Sequence, residues 1–303
     1  MRQRSSTNVT VPLAELTAPT PRITVGPYTI IAPLARGGTA SVFLAQHCMT
    51  KHRVALKLLH PAYAGCSEIV DRLFAEYEVS NSAVHASLLA VYEAETTSTG
   101  LPYLVMEYLD GENLGTLAER GRLEIDAVVA IAAQIASGLA ALHRGGYVHC
   151  DIKPENIFIL YQANRDGWPL VKVLDYGVAT ASAAPFADDS TIAGTPAYMP
   201  PEQWRGRATT KSDLYALGCT LHELLVGEPP FQGTLPQLML SHSEHLPDAP
   251  SSRRSDIPYA LDRLISRMMS KDGALRPTAP EVEHELQRIA RSLAPAQQLE
   301  AVA

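Results

Sequence analysis

His149-Cys150-Asp151-Ile152-Lys153-Pro154-Glu155-Asn156 sets a carboxylate, then an ammonium two residues on, then an amide three beyond that. The stretch lies between a segment of helical period and an apolar run that reads as a strand. Side chains of these types at fixed offsets can orient a hydroxyl, neutralise a phosphate and hold a metal ion, which is what phosphoryl transfer requires. The competing reading is a loop whose polar residues merely satisfy one another.

Working outward, four more segments carry chemistry. Upstream, Val54-Ala55-Leu56-Lys57 puts a lysine on an otherwise apolar strand, where an unpaired ammonium is costly to bury. It needs an anion. Glu76, on the helical stretch that follows, is the chosen partner, Glu78 is the competing choice, and a solvated surface pair is the plainer alternative. Before them, Leu34-Ala35-Arg36-Gly37-Gly38-Thr39-Ala40-Ser41-Val42 reads as a glycine turn between two strands, either an ordinary hairpin or a place where backbone amides approach a phosphate. Downstream come Asp175-Tyr176-Gly177 and Gly194-Thr195-Pro196-Ala197-Tyr198-Met199-Pro200-Pro201-Glu202.

In this order the segments resemble the motif set of the eukaryotic-like, bacterial-type serine/threonine protein kinases, from about residue 28 to about residue 293. The resemblance implies an α+β, bilobal protein-kinase-like fold. It consists of a small antiparallel β-rich N-lobe with one main helix, about 27–108, and a larger, mainly α-helical C-lobe, about 109–293. A flexible leader, 1–26, and a short tail, 294–303, flank it. The implied activity is transfer of the γ-phosphate of ATP to serine or threonine hydroxyls of protein substrates, in signalling and with autophosphorylation. The cofactors are ATP and Mg²⁺, with Mn²⁺ as a possible substitute.

Roles follow residue by residue. Asp151 would accept or orient the proton of the substrate hydroxyl, and Lys153 would stabilise charge on the transferring group. Asn156 and Asp175 would hold the metal. Lys57 would bind the α- and β-phosphates, braced by Glu76, which stands nine positions before His85 as the family's helix-to-strand spacing has it. Gly37 and Gly38 would approach the phosphates, and Leu34, Val42, Ala55, Met106, Glu107, Leu109 and Phe158 would surround the adenine. Met106 reads equally as ordinary core. The lysine two positions after the aspartate resembles the serine/threonine branch, as does Thr195. Asp213 would accept hydrogen bonds from the catalytic-loop backbone, Glu202 and Arg276 would pair, and His149 would pack and bond backbone.

Four positions depart from the family pattern. Ala35 and Ala40 stand where the first and third glycines fall, which is expected to loosen phosphate contact without abolishing binding. Cys150 replaces the arginine that grips a phosphorylated activation loop, so activity is expected to depend weakly on phosphorylation of Ser190 or Thr191. A redox role for Cys150 competes with plain burial. Tyr176 replaces a phenylalanine, and its hydroxyl must find a partner or water. Two further readings stay open: a pseudokinase acting as a nucleotide-binding scaffold, and a small-molecule phosphotransferase, against which residues 194–202 argue because they resemble a polypeptide docking surface.

Composition sets bounds. At 303 residues with 46% hydrophobic and 19% charged, the chain can bury a core, and its length suggests two lobes sharing a cleft or two small domains. A net charge of −7 gives no electrostatic reason to expect nucleic acid. Four cysteines without paired metal-ligand spacing suit a reduced, cytoplasmic protein. No signal-peptide core is read at the N-terminus, and no apolar run is expected to reach the roughly 18 residues of a membrane span.

The elements are expected as follows. Strands are read at 28–31, 41–45, 53–59, 88–92 and 103–107, with a helix at 68–84 and a hinge near Glu107-Tyr108-Leu109. Ile125, Val128, Val129, Ala132, Ile135, Leu139 and Leu142 recur at helical spacing, and Gly145-Gly146 stops that helix. A second helix is read at 212–226 with Ser212 as N-cap, others at 258–270 and 279–292, and a surface loop at 247–255.

Overall fold

Along Arg53–Leu59 (β4), Val54 and Leu56 are buried in one cluster while Ala55 and Leu59 are buried in another. The period-two alternation therefore gives this strand two occupied faces, and it sits inside a sheet. The computed structural model describes residues 23–164, 167–176, 179–181 and 194–293. Residues 1–22 of the expected leader, Gly177, Ser190, Thr191 and the expected tail lie outside them.

The small lobe is a six-stranded antiparallel sheet in the order β1-β2-β3-β4-β6-β5. Its strands are Thr24–Val25 (β1), Tyr28–Arg36 (β2), Ala40–His47 (β3), β4, Val91–Thr96 (β5) and Pro102–Glu107 (β6). Val25 is buried against Tyr28, so the sheet begins before the Gly26 boundary expected for the leader. One helix, Ser67–Ser82 (α1), lies against β5 and β6 and buries Leu73, Glu76, Val79 and Ser80 along one stripe. Glu78 faces solvent, which decides between the two glutamates. The strand expected at 88–92 starts only at Val91. Leu88 and Leu89 instead bond Val173 of the other lobe, Leu88 as a parallel bridge and Leu89 through its N–H to the Val173 carbonyl at 3.0 Å.

Beyond the hinge come Gly111–Asn113 (β7), Leu114–Glu119 (α2), Ile125–Arg144 (α3), Tyr147–Val148 (β8), Ile157–Ala163 (β9), Pro169–Val173 (β10) and Thr180–Ala181 (β11). The lobe is completed by Thr210–Val226 (α4), Leu235–Glu244 (α5), Tyr259–Met268 (α6) and Ala279–Leu293 (α7). Val128, Val129, Ala132, Ile135, Leu139 and Leu142 of α3 are all fully buried. Each such branched side chain contributes roughly 1.5–3 kcal/mol on burial. Gly146 ends the helix at φ +84°, a left-handed conformation that costs a residue with a Cβ.

Helix α3 is also long and apolar enough to cross a membrane by length and composition, contrary to the expectation that no run would qualify. Burial accounts for its composition: 67% of that apolar window lies inside the protein, packed on α4 and α7. Helix α4 is capped by Thr209 rather than Ser212. Ser212 is the third helical residue and completes the capping box by accepting from the Thr209 N–H at 2.9 Å. Helices α2 and α5 were not expected, and the loop read at 247–255 contains a short 3₁₀ turn, Pro250–Ser252, with Pro250 buried.

Candidate active site

The sheet register gathers one side of a cleft. Val42 pairs with Lys57, Leu44 with Ala55, Ala55 with Met106 and Lys57 with Leu104, so Val42, Ala55, Lys57 and Met106 share one face. Met106 is buried, Leu109 is partly buried against the core and Leu34 is exposed. Phe158 is half-buried on β9, opposite Lys172.

Lys57 Nζ donates to both Glu76 oxygens, at 2.6 and 2.8 Å, and lies 3.6 Å from Asp175 Oδ1. Burial pulls the lysine pKa down, but the Glu76 and Asp175 carboxylates outweigh it and hold it above its ordinary value. Burial pushes Glu76 upward, against the pull of Lys57. These shifts oppose each other on the charge of the pair. The two short contacts to the ammonium favour the ionised form.

The other side is the catalytic loop. Asp151 Oδ1 accepts from the Thr195 hydroxyl at 2.7 Å, and Oδ2 accepts from Asn156 Nδ2 at 2.9 Å and faces Lys153 Nζ at 2.8 Å. Lys153 Nζ also donates to the Thr195 hydroxyl at 2.6 Å. The approach of Lys57 to Asp175 joins this side to the sheet. Within it the Leu174 N–H donates to the Asn156 carbonyl at 2.8 Å and His149 Nε2 lies 2.9 Å from the Leu174 carbonyl. That places Asp175 next to Asn156.

Backbone strain concentrates here. Cys150 and Asp175 take φ values of +68° and +65°, left-handed conformations that cost a non-glycine residue on the order of 1–3 kcal/mol. The surroundings hold Cys150 in it: the N–H groups of His149 and Cys150 both donate to the buried Asp213 carboxylate at 2.9 Å, and Gln203 Nε2 donates to the Cys150 carbonyl at 2.7 Å. Gly194 faces the same carbonyl at φ +118°, where an added Cβ would lie 2.5 Å from Gln203 Nε2. The Cys150 side chain is buried, with Sγ 3.6 Å from the Val148 carbonyl, which agrees with the plainer of its two readings.

Outside this centre, Arg276 is fully buried, donates to both Glu202 oxygens at 2.6 and 2.9 Å and lies 4.8 Å from the Tyr215 ring. Burial would raise the Glu202 pKa, but the guanidinium outweighs it and holds the carboxyl low. Tyr176 is buried, and its hydroxyl donates to the Leu89 carbonyl at 3.1 Å. Burial raises its pKa despite that bond.

The donors expected for a metal are Asn156 and Asp175. Asn156 Nδ2 donates to the Asp151 carbonyl and carboxylate, which turns the amide so that its oxygen can serve as a ligand. Two hard protein oxygens suit Mg²⁺, which takes its remaining ligands from phosphates and water. No cluster of three or more His, Cys, Asp or Glu suited to a metal exists among the described residues, so a closed protein cage is not what this site offers.

Sequence reasoning missed two contacts. Lys172 Nζ donates to Glu107 Oε2 at 2.7 Å and to the Leu88 carbonyl at 3.2 Å, tying the hinge to β10. Ser41 Oγ lies 2.8 Å from His60 Nε2 beside the glycine turn. The only available signal was a lysine in the apolar β10, the same signal that revealed Lys57.

The family model described as "Protein kinase domain" matches residues 28–286. The serine/threonine-protein kinase Pkn1 of Myxococcus xanthus is 37% identical over 266 residues, covering 86% of this chain and 38% of that one. The serine/threonine-protein kinase PrkC of Bacillus subtilis is 34% identical over 268 residues, covering 86% of this chain and 40% of that one. The chain thus spans about two fifths of the length of these curated relatives. Among solved structures, the PknI kinase domain of Mycobacterium tuberculosis superposes with a TM-score of 0.67 at 25% identity, covering 89% of this chain and 99% of that one.

Proposed function

The chain belongs to the protein kinase domain family, and from that premise we propose that it transfers the γ-phosphate of ATP to serine or threonine hydroxyls of protein substrates. One observation carries the reading. The Thr195 hydroxyl accepts from Lys153 and donates to Asp151, so a hydroxyl in this position meets a base for its proton and a cation for developing charge. A substrate hydroxyl beside Asp151 would find the same partners.

The remaining groups take roles consistent with their places. Lys57, held by Glu76, would neutralise the α- and β-phosphates, and the face formed by Val42, Ala55 and Met106 would cover adenine, with Leu34, Leu109 and Phe158 at its edges and Glu107 at the hinge. Asn156 and Asp175 would hold Mg²⁺, which when bound supplies positive charge to the phosphate oxygens. In this reading Asp151 orients the hydroxyl, Lys153 steadies the transferred group, and Gly37 and Gly38 shield the phosphates. We place the domain in the cytoplasm, in a signalling role, where ATP is supplied and the four free cysteines stay reduced.

The test compares wild type with Asp151→Asn for incorporation of label from γ-labelled ATP into itself and into an acceptor protein. Asp151→Asn is expected to cut turnover by about 10²- to 10⁴-fold while nucleotide binding persists. Equal incorporation by both would remove the reading.

A further inference from the structure

The tip of the glycine turn stands out from the cleft. Residues 33–39 are all exposed, and Ala35 and Ala40 replace glycines of the family pattern. The Gly37 N–H closes the turn on the Ala40 carbonyl at 2.9 Å, and the β2–β3 ladder carries its two arms. Strand β4 also pairs with the second arm, Leu59 opposite Ala40 and Leu58 opposite Ser41, and the residue after it extends that contact to the turn itself. The His60 N–H donates to the Thr39 carbonyl at 2.8 Å, and His60 Nε2 meets Ser41 Oγ at 2.8 Å.

His60 is itself held firmly. It follows β4 directly and caps the 3₁₀ turn Pro61–Tyr63, with φ −69° and ψ 139°. A following proline restricts it to this extended conformation. Ser41 stands opposite Leu58, one position from the Val42–Lys57 pair, so its side chain lies on the face of the sheet turned away from Lys57. The contact therefore acts on the turn through the backbone and does not touch a nucleotide.

We propose that His60 and Ser41 are positioning residues that clamp the C-terminal arm of the glycine turn over the phosphates of ATP. The proposal rests on the ATP-binding reading above. In this chain the clamp offsets the loosening caused by Ala35 and Ala40: a turn with fewer glycines approaches the phosphates less closely, and fixing one arm limits the backbone freedom that binding must remove.

The experiment is a mutant cycle on the full chain with Ser41→Ala, His60→Ala, the double variant and His60→Gln, whose amide reaches about as far as the imidazole Nε2. Each is read for KM of ATP, for kcat, and for Kd of a fluorescent ATP analogue with magnesium. Each alanine variant is expected to raise KM and Kd roughly three- to tenfold, the double variant no further, with kcat changed less than about twofold. His60→Gln is expected to stay near wild type, and thermal midpoints to hold because both side chains are partly exposed. Multiplying effects in the double variant, unchanged nucleotide affinity, a kcat that falls as far as kcat/KM, or a lowered midpoint without a KM shift would each overturn the clamp. A wild type that neither binds the analogue nor incorporates label defeats the kinase reading itself. A wild type that does both, with variants indistinguishable from it, defeats the clamp alone.

Discussion

On the small-lobe side of the cleft, an exposed turn depends on its own ladder, on β4 along its second arm and on His60. On the large-lobe side, the strained Cys150 backbone is gripped by Asp213 at its own amide and that of His149, and by Gln203 at its carbonyl. The difference is one of redundancy. A segment with few partners can shift at small cost, so changes there fall on nucleotide affinity. A segment held by several buried hydrogen bonds stays where its strain would not otherwise allow, so changes there fall on turnover and stability.

The severest way to test this contrast is to remove a support of the large lobe. Arg276→Met leaves the Glu202 carboxylate without its guanidinium, and breaking a buried pair in this way costs about 3–5 kcal/mol. Calorimetry is expected to show a midpoint lower by on the order of ten degrees, with Kd for nucleotide in the surviving folded fraction unchanged. A normal midpoint would mean the large lobe is no better secured than the turn.

Next in size is Asp175, the proposed metal ligand, which Lys57 approaches from the small lobe at 3.6 Å. Asp175→Asn is expected to lower kcat at least about a hundredfold, with much less effect on nucleotide Kd, as single-turnover kinetics and titration would show. An equal loss in both would place Asp175 on the affinity side of the comparison.

Acid should also find the large lobe first. Burial, with Lys271 nearby, pushes the pKa of the fully buried His242 down to about 4 from 6.5. A group with a lowered basic pKa binds protons mainly in the unfolded chain between those values, so its contribution is intact above pH 6.5 and is lost as pH falls toward 4. At pH 5 the loss is about 2 kcal/mol. Denaturant midpoints measured from pH 7.5 to 5 are expected to fall, and His242→Gln is expected to flatten that slope.

The smallest effect is expected from Ser190→Ala with Thr191→Ala. With Cys150 in place of an arginine, a phosphate on this loop lacks a bidentate partner at that position, so activity is expected to stay within about twofold of wild type. Loss of most activity in the labelled-ATP assay would overturn the expectation of weak dependence on loop phosphorylation.

Much of this was legible in the sequence wherever one residue type contradicts its local pattern. Lys57 on an apolar strand had to have an anion, and Glu76 falls on the same helical stripe as Leu73 and Ser80. The apolar period of α3 was equally plain. Readings failed where a partner distant in sequence decides the outcome. Leu88 and Leu89 look like strand by composition, yet they bond Val173 in the other lobe. Ser212 suits an N-cap, but Thr209 takes that place and Ser212 also donates to Glu202 at 2.6 Å. Helix α5 buries only Leu238 and His242, too sparse a stripe to announce itself. The Lys172–Glu107 pair spans 65 positions, and a lysine in the apolar β10 is its one local trace, with nothing nearby to name the partner.

Tyr176 has a bearing on inhibitor chemistry. A compound that makes room behind Asp175 by swinging the ring out must first break the buried hydroxyl's bond to the Leu89 carbonyl, which then keeps only its bond from the Ser80 hydroxyl. Ligands that leave the phenol seated avoid this penalty, so scaffolds shaped for the closed back wall should be favoured over those that wedge it open.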